Sequence, residues 1–337
     1  MRHTVIFFAF TLMLMSPLTL HAQAPTFTLD MLAGKSREEQ IQLLLQIIAL
    51  IQQQRQESRV GAAVASSEWH YVRPAAKDEH MHDVDEDDEL YDEEEIIHQY
   101  LVRNDRLYEN DEWTRDTTGP EYEVWRMFRS LFGKEFIADN LWRYATFDVG
   151  DVSTLAFVQY LKQEEPNWGL AVNTNSIDLD DKVWTRDLAV TLIHEYAHML
   201  TLANNQVNHR LRSADVCARD GTYFMPVGGE GCTKSKSYLN VFVEEFWNDA
   251  SIKKAAQARA LGKTKDLYAA NEDVFVTWYA ATSPEEDIAE SFTNFILERK
   301  PTSDEKVRDQ KILFFYEYPA LVTLREEIRD AAEEYFK

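Results

Sequence analysis

The stretch TRDLAVTLIHEYAHMLTLA (185–203) decides the reading of this chain, because it sets His194-Glu195-Tyr196-Ala197-His198 inside a helix-compatible apolar run. Residues four apart share one face of a helix, so His194 and His198 can turn both imidazoles toward one ion while Glu195 stands beside them. The flanks Leu188, Ala189, Val190, Leu192, Ile193, Ala197, Met199, Leu200 and Leu202 predict a buried helix, where two unliganded histidines would be costly. Zinc at such a site lowers the pKa of a bound water and polarises a peptide carbonyl, and the adjacent glutamate is suited to take the proton.

A hydrolytic zinc needs a third protein ligand and one open position. The pattern H-E-x-x-H-x-x-G-x-x-H is broken here, since Thr201 replaces the glycine and Asn204 the last histidine. Further along, Ser283-Pro284-Glu285-Glu286-Asp287-Ile288-Ala289-Glu290-Ser291-Phe292 puts a proline at a helix start, followed by carboxylates on consecutive turns. Glu286 and Glu290 share a face, so one can bind zinc while the other accepts a hydrogen bond from a ligating imidazole. Glu245 competes, because Glu245-Phe246-Trp247-Asn248-Asp249 is also E-x-x-x-D on an aromatic helix. Glu285 reads as a first-turn carboxylate favoured by the helix dipole, and His209 as a surface histidine.

With these two motifs on one chain, the sequence resembles the gluzincins, zincin metallopeptidases in which an H-E-x-x-H helix is completed by a glutamate from a later E-x-x-x-[DE] helix. It is also similar to uncharacterised exported bacterial zinc metallopeptidases that carry a Tyr-Ala-Ala-Thr-x-Pro-x-Glu-Asp-x-Ala-Glu stretch, here Tyr279 to Glu290. The resemblance covers roughly Leu141 to Glu298. It implies His194, His198 and Glu286 as ligands of one Zn2+ per chain, Glu195 as general base and Glu290 as the residue behind a ligating histidine. Tyr279 matches a tyrosine that stabilises the oxyanion in lethal-factor-like gluzincins. By the same resemblance Trp168 to Asn173 is the edge strand beside the cleft, where an extended substrate adds as a further strand.

Outward from the motifs, Leu141 to Phe147, Thr154 to Leu161 and Trp168 to Asn173 are short aromatic and β-branched segments between turn signals, and predict strands. Helical periods mark Tyr122 to Phe132, Tyr238 to Ala258, Pro284 to Arg299, Asp304 to Phe315 and Ala320 to Tyr335. A sheet first and helices after gives an α+β layout. Residues 119–337 are therefore read as a zincin-like metallopeptidase domain beginning near Gly119-Pro120.

Residues 1–24, with Arg2, an apolar run from Val5 to Met15 and Ala22-Gln23-Ala24, read as a secretory signal peptide whose core is too short to span a bilayer. The expected location is periplasmic or secreted, without stable membrane insertion. Residues 25–68 hold an amphipathic helix, Ser36 to Glu57; self-association through it and docking on the main domain are both open. Residues 69–118 read as an acidic linker, since Asp78 to Glu95 carries twelve carboxylates and no Lys or Arg. It lacks the calcium-loop pattern and its glycine, and His80 and His82 there read as a solvated pair.

The chain's net charge of −23 makes nucleic acid and anionic lipid poor partners, leaving a peptide or protein substrate. Cys217 and Cys232 are the two cysteines, and export predicts a disulfide between them. Two other functions remain open from the sequence. One is a catalytically weak zincin-fold protein that binds peptides, against which the intact Glu195 speaks; the other is an amidase acting on cell-wall peptides.

Overall fold

The structure, a computed structural model, describes residues 96–337 apart from 111, 115–117, 149–153, 162–166, 175–177, 212 and 226–230. The signal segment, the N-terminal helix and the His80/His82 pair lie outside the described residues. The architecture is α+β: a sheet first, then the motif helix, then a mostly helical C-terminal part.

The sheet begins earlier than residue 119. β1 (Ile96–Arg103), β2 (Arg106–Glu109) and β3 (Glu112–Trp113) form an antiparallel meander, so the stretch 96–113, read as linker from its charge, belongs to the folded domain. The reason is alternation. Tyr100, Val102 and Leu107 turn inward and are buried while Gln99, Arg103 and Arg106 face out, as one half-buried sheet face requires. Two positive-φ residues, Asn104 and Asp105, make the tight β1–β2 turn.

α1 (Pro120–Asn140) is broken at Gly133, whose φ of 76° leaves the helical region. It buries Trp125, Phe128 and Phe132 under the sheet, where Trp125 packs on Tyr144 at 5.2 Å between ring centroids. β4 (Leu141–Phe147), β5 (Ala156–Tyr160) and β6 (Trp168–Asn173) complete a sheet of order β3-β2-β1-β4-β6-β5. β4 and β6 run parallel, and β5 returns antiparallel to β6. The edge strand is therefore β5, whereas Trp168 to Asn173, expected at the edge, lies between β4 and β5 with every residue buried. A strand buried on both faces reads as a near-continuous apolar run, and that is how β6 reads.

α2 (Lys182–Thr201) follows, started by Asp181, whose side chain accepts from the Val183 N–H at 2.7 Å. Tyr196 faces away from the histidines and stacks on Phe132 with ring centroids 4.5 Å apart. Beyond α2, β7 (Val207–Asn208), α3 (Ala214–Arg219), β8 (Phe224–Met225) and β9 (Gly231–Thr233) build a small three-stranded sheet fastened by the Cys217–Cys232 disulfide. Gly231 has no substitute there: its φ is +127°, and a Cβ would run into the Asn208 carbonyl.

The helix expected over Tyr238 to Ala258 is two. α4 (Tyr238–Phe246) stops at extended Trp247, and α5 (Asp249–Ala260) restarts through a reciprocal Asn248/Ser251 capping box. α6 (Thr264–Ala269), a single 3-10 turn at Tyr279–Ala281, α7 (Pro284–Leu297), α8 (Val307–Phe314) and α9 (Pro319–Phe336) follow. α7 is the central helix, buried nearly all round. Two arginines of α9 cap its end: Arg325 donates to the Glu298 carbonyl at 2.6 Å, and Arg329 to those of Ile296 and Leu297 at 2.8 and 2.7 Å. Among the described residues no helix is long and apolar enough to cross a membrane.

Candidate metal centre

α2 and α7 pack against each other so that the two motifs meet. The His194 and His198 Nε2 atoms lie 3.0 Å apart, and one Glu286 carboxylate oxygen, Oε2, is 3.1 Å from the first and 3.3 Å from the second. The three donor atoms lie within 4.8 Å of one another. Ser283 caps α7 by accepting from the Glu286 N–H at 3.3 Å, and Pro284 opens the first turn, which fixes Glu286 one turn in from the helix start. Two imidazole nitrogens and a carboxylate oxygen converging on one point can share one cation. A two-nitrogen, one-oxygen set with room for a fourth ligand suits a catalytic zinc, so the residues present fit that ion.

The ring of His194 is held from behind. Its Nδ1 lies 2.9 Å from Oε1 of Glu290, which is fully buried, and Thr277 Oγ1 donates to Glu290 Oε2 at 2.6 Å. The carboxylate holds a proton on Nδ1 and leaves Nε2 as the atom that faces Glu286. His198 is treated differently: among the described residues its buried Nδ1 has no hydrogen-bond partner.

Charge follows from this packing. For His194, burial alone would lower the pKa, but hydrogen bonds to Glu286 and Glu290 outweigh it and raise it to about 10. Burial would push Glu286 up, yet His198 and His194 together hold its carboxyl well below the usual range. Glu195 is pushed up, chiefly by burial and against the pull of both histidines. Its Oε2 accepts the backbone N–H of Val158 at 3.0 Å. Leu155 and Leu161 bond inward toward β6 and the adjoining loop, so the alternate residues Ala156, Val158 and Tyr160 turn their backbone groups to the side of β5 away from β6. Half-buried Tyr279 has its ring 5.8 Å from that of His194, and burial together with Glu286, Glu195 and Glu290 keeps its phenol protonated.

The structure thus brings His194, Glu195, His198, Tyr279, Glu286 and Glu290 together. Glu245 is exposed on α4 and outside the cluster. Glu285 is buried, and burial raises its pKa. His209 is buried rather than on the surface: its ring stacks on Tyr160 at 3.7 Å, and its Nε2 lies 2.9 Å from the Leu202 carbonyl. Tyr160 also donates to Asn204 at 2.8 Å, so the far end of β5 is pinned to the loop that follows α2. Sequence reasoning missed Val158, Tyr160 and Thr277. The first acts through its backbone, and the other two lie in no recognisable spacing.

No family model and no curated protein matches this chain. Among solved structures, a protein of Bacteroides caccae described as a "putative zinc-binding metallo-peptidase" aligns at 18% identity and a TM-score of 0.31, over 62% of this chain and 72% of its own. A likeness of that depth decides nothing about the site, which stands on its own geometry.

Proposed function

We propose that this chain is a zinc-dependent metallopeptidase, with one zinc per chain held by His194, His198 and Glu286. The observation that carries the reading is the convergence of those three donor atoms with the Glu195 carboxylate anchored beside them. Zinc bound there supplies a Lewis acid for a peptide carbonyl and makes water nucleophilic near neutral pH.

The chain's own residues supply the rest. Glu195 accepts the proton of the attacking water at its carboxylate and passes it to the departing amine, a task that its raised pKa suits. Tyr279, kept protonated, presents an O–H for the developing oxyanion. Glu290 orients His194. An extended peptide or protein substrate pairs with the outward groups of β5 other than the Val158 N–H, which Glu195 holds, and main-chain hydrogen bonds there supply affinity without demanding a sequence. The Cys217–Cys232 bond supports an oxidising setting, in keeping with export to the periplasm or medium.

Elemental analysis of the purified protein tests the reading. We expect about one zinc per chain, lost in His194→Ala and Glu286→Ala and kept in Glu245→Ala. Glu195→Gln should keep its zinc and lose peptidase activity by about 10²–10⁴-fold. Wild-type protein that takes up no zinc would end the proposal.

A further inference from the structure

The geometry points to Thr277 as a positioning residue of the metal centre: through Glu290 it fixes the tautomer and orientation of His194. This inference rests on the metal-site reading above and adds to it a residue that no motif contains.

Thr277 lies just before the 3-10 turn that carries Tyr279. Its Oγ1 accepts the Ala280 N–H at 3.1 Å, which commits one lone pair and leaves the hydroxyl proton to be donated. A carboxylate can only accept, so the 2.6 Å contact from Thr277 Oγ1 to Glu290 Oε2 has one polarity. Glu290 Oε1 in turn faces the His194 Nδ1 at 2.9 Å. Donation converges on the carboxylate: the Ala280 N–H donates to the Thr277 hydroxyl, which donates to Glu290 Oε2, while the His194 Nδ1–H donates to Oε1 from the other side, leaving Nε2 as the atom that faces Glu286. Without the hydroxyl, Oε2 would lose a donor in a fully buried carboxylate, and the orientation that Glu290 presents to His194 would be less closely held. Threonine suits the position because its β-branch restricts χ1. Since Ala280 belongs to the same turn as Tyr279, the tyrosine and His194 are tied to one hydrogen-bonded series.

The test uses Thr277→Val, which keeps the shape and removes the hydroxyl, Thr277→Ser, which restores it, and Thr277→Ala should the valine variant not fold. Thr293→Val is the matched control, because the Thr293 hydroxyl is also buried, on α7 itself, but donates to the Ala289 carbonyl at 2.9 Å. Zinc affinity is read by chelator competition, and the His194 Nδ1 proton by imidazole NMR in metal-free and zinc-loaded protein. We expect about tenfold weaker zinc binding in Thr277→Val, at the lower end of what removing a group behind a ligand costs. The Nδ1 proton signal should be displaced in the same variant, both effects should return in Thr277→Ser, and Thr293→Val should leave both unchanged. Wild-type affinity and an unmoved signal in Thr277→Val would overturn the inference, as would an equal loss in Thr293→Val. If the wild type takes up no zinc, the proposed function fails by itself, and the metal-free Nδ1 signal still decides the role of Thr277.

Discussion

His194 and Glu286 carry opposite pKa shifts, and the two set a pH window for the metal-free protein. A histidine raised to about 10 contributes stability that is complete below its unfolded value of about 6.5 and is lost as the pH climbs through 10. A depressed carboxyl contributes stability that is complete above its unfolded value of about 4.5 and is lost as the pH falls through its folded one. Urea unfolding in the presence of a chelator should therefore show this cluster stabilising most between about pH 4.5 and 6.5, with a decline on the alkaline side. Zinc has the reverse dependence, because it must displace those protons. Its affinity should rise with pH up to about 10, where His194 loses its proton unaided, and titrations in two buffers of different ionisation enthalpy should report proton release. An affinity that is flat with pH would mean that His194 is already neutral before the metal arrives.

At the scale of elements, α7 explains both how the site is placed and why so many polar groups can be buried around it. Asp287, Glu290, Ser291, Thr293 and Asn294 are all buried on this one helix, and a buried polar group must find a partner. Asp287 meets Lys311 of α8 at 2.6 Å, with neither side chain exposed, and it also accepts the Trp247 indole N–H at 2.8 Å. That second bond gives a physical reason for the split between α4 and α5: leaving the helix at Trp247 lets the indole reach a carboxylate that has little other solvation. Lys311→Met should strand Asp287 and cost about 3–5 kcal/mol in denaturant unfolding. The double variant Asp287→Ala/Lys311→Met should cost less than the single one, because no buried charge is left unpaired. If the single and double variants lose the same stability, the pair contributes nothing beyond its packing.

Across the whole described molecule, the site depends on three separately fastened parts: the β5 edge, α2, and α7 with its preceding turn. β5 is tied to α2 at Val158–Glu195 and to the following loop at Tyr160–Asn204, while the disulfide fastens the small sheet that α2 leads into. The bridge spans a sequence separation of 15 residues. Closing such a loop restricts the unfolded chain by about 3 kcal/mol, so Cys217→Ser/Cys232→Ser should lower the unfolding free energy by roughly that amount. Zinc content should persist in that variant, because no ligand lies in the loop. Loss of both together would mean that the small sheet holds the metal helices in register.

Sequence by itself determined the elements whose signals are local. β4 and β6 have the bounds expected from their turn signals, and α7 begins at Pro284 as expected, whereas the motif helix, read from Thr185, starts three residues earlier at Lys182 behind its Asp181 cap. His194, Glu195 and His198 were legible because a 3.6-residue period puts two of them on one face, and the two cysteines because pairing was their simplest chemistry. The carboxylate run at Asp78 to Glu95 misled by extension into residues 96–113, where Tyr100, Val102 and Leu107 face inward on alternate positions of the strands. Only the tertiary structure decided which strand is the edge, since strand order depends on which partner each strand finds and not on its own composition. It alone put Glu286 rather than Glu245 against the histidines, because both sit in the same kind of motif and only the packing of α7 on α2 closes that distance. It alone disclosed Val158 and Thr277, for a backbone amide has no sequence signature, and a hydroxyl gains a role only when the fold sets a buried carboxylate beside it.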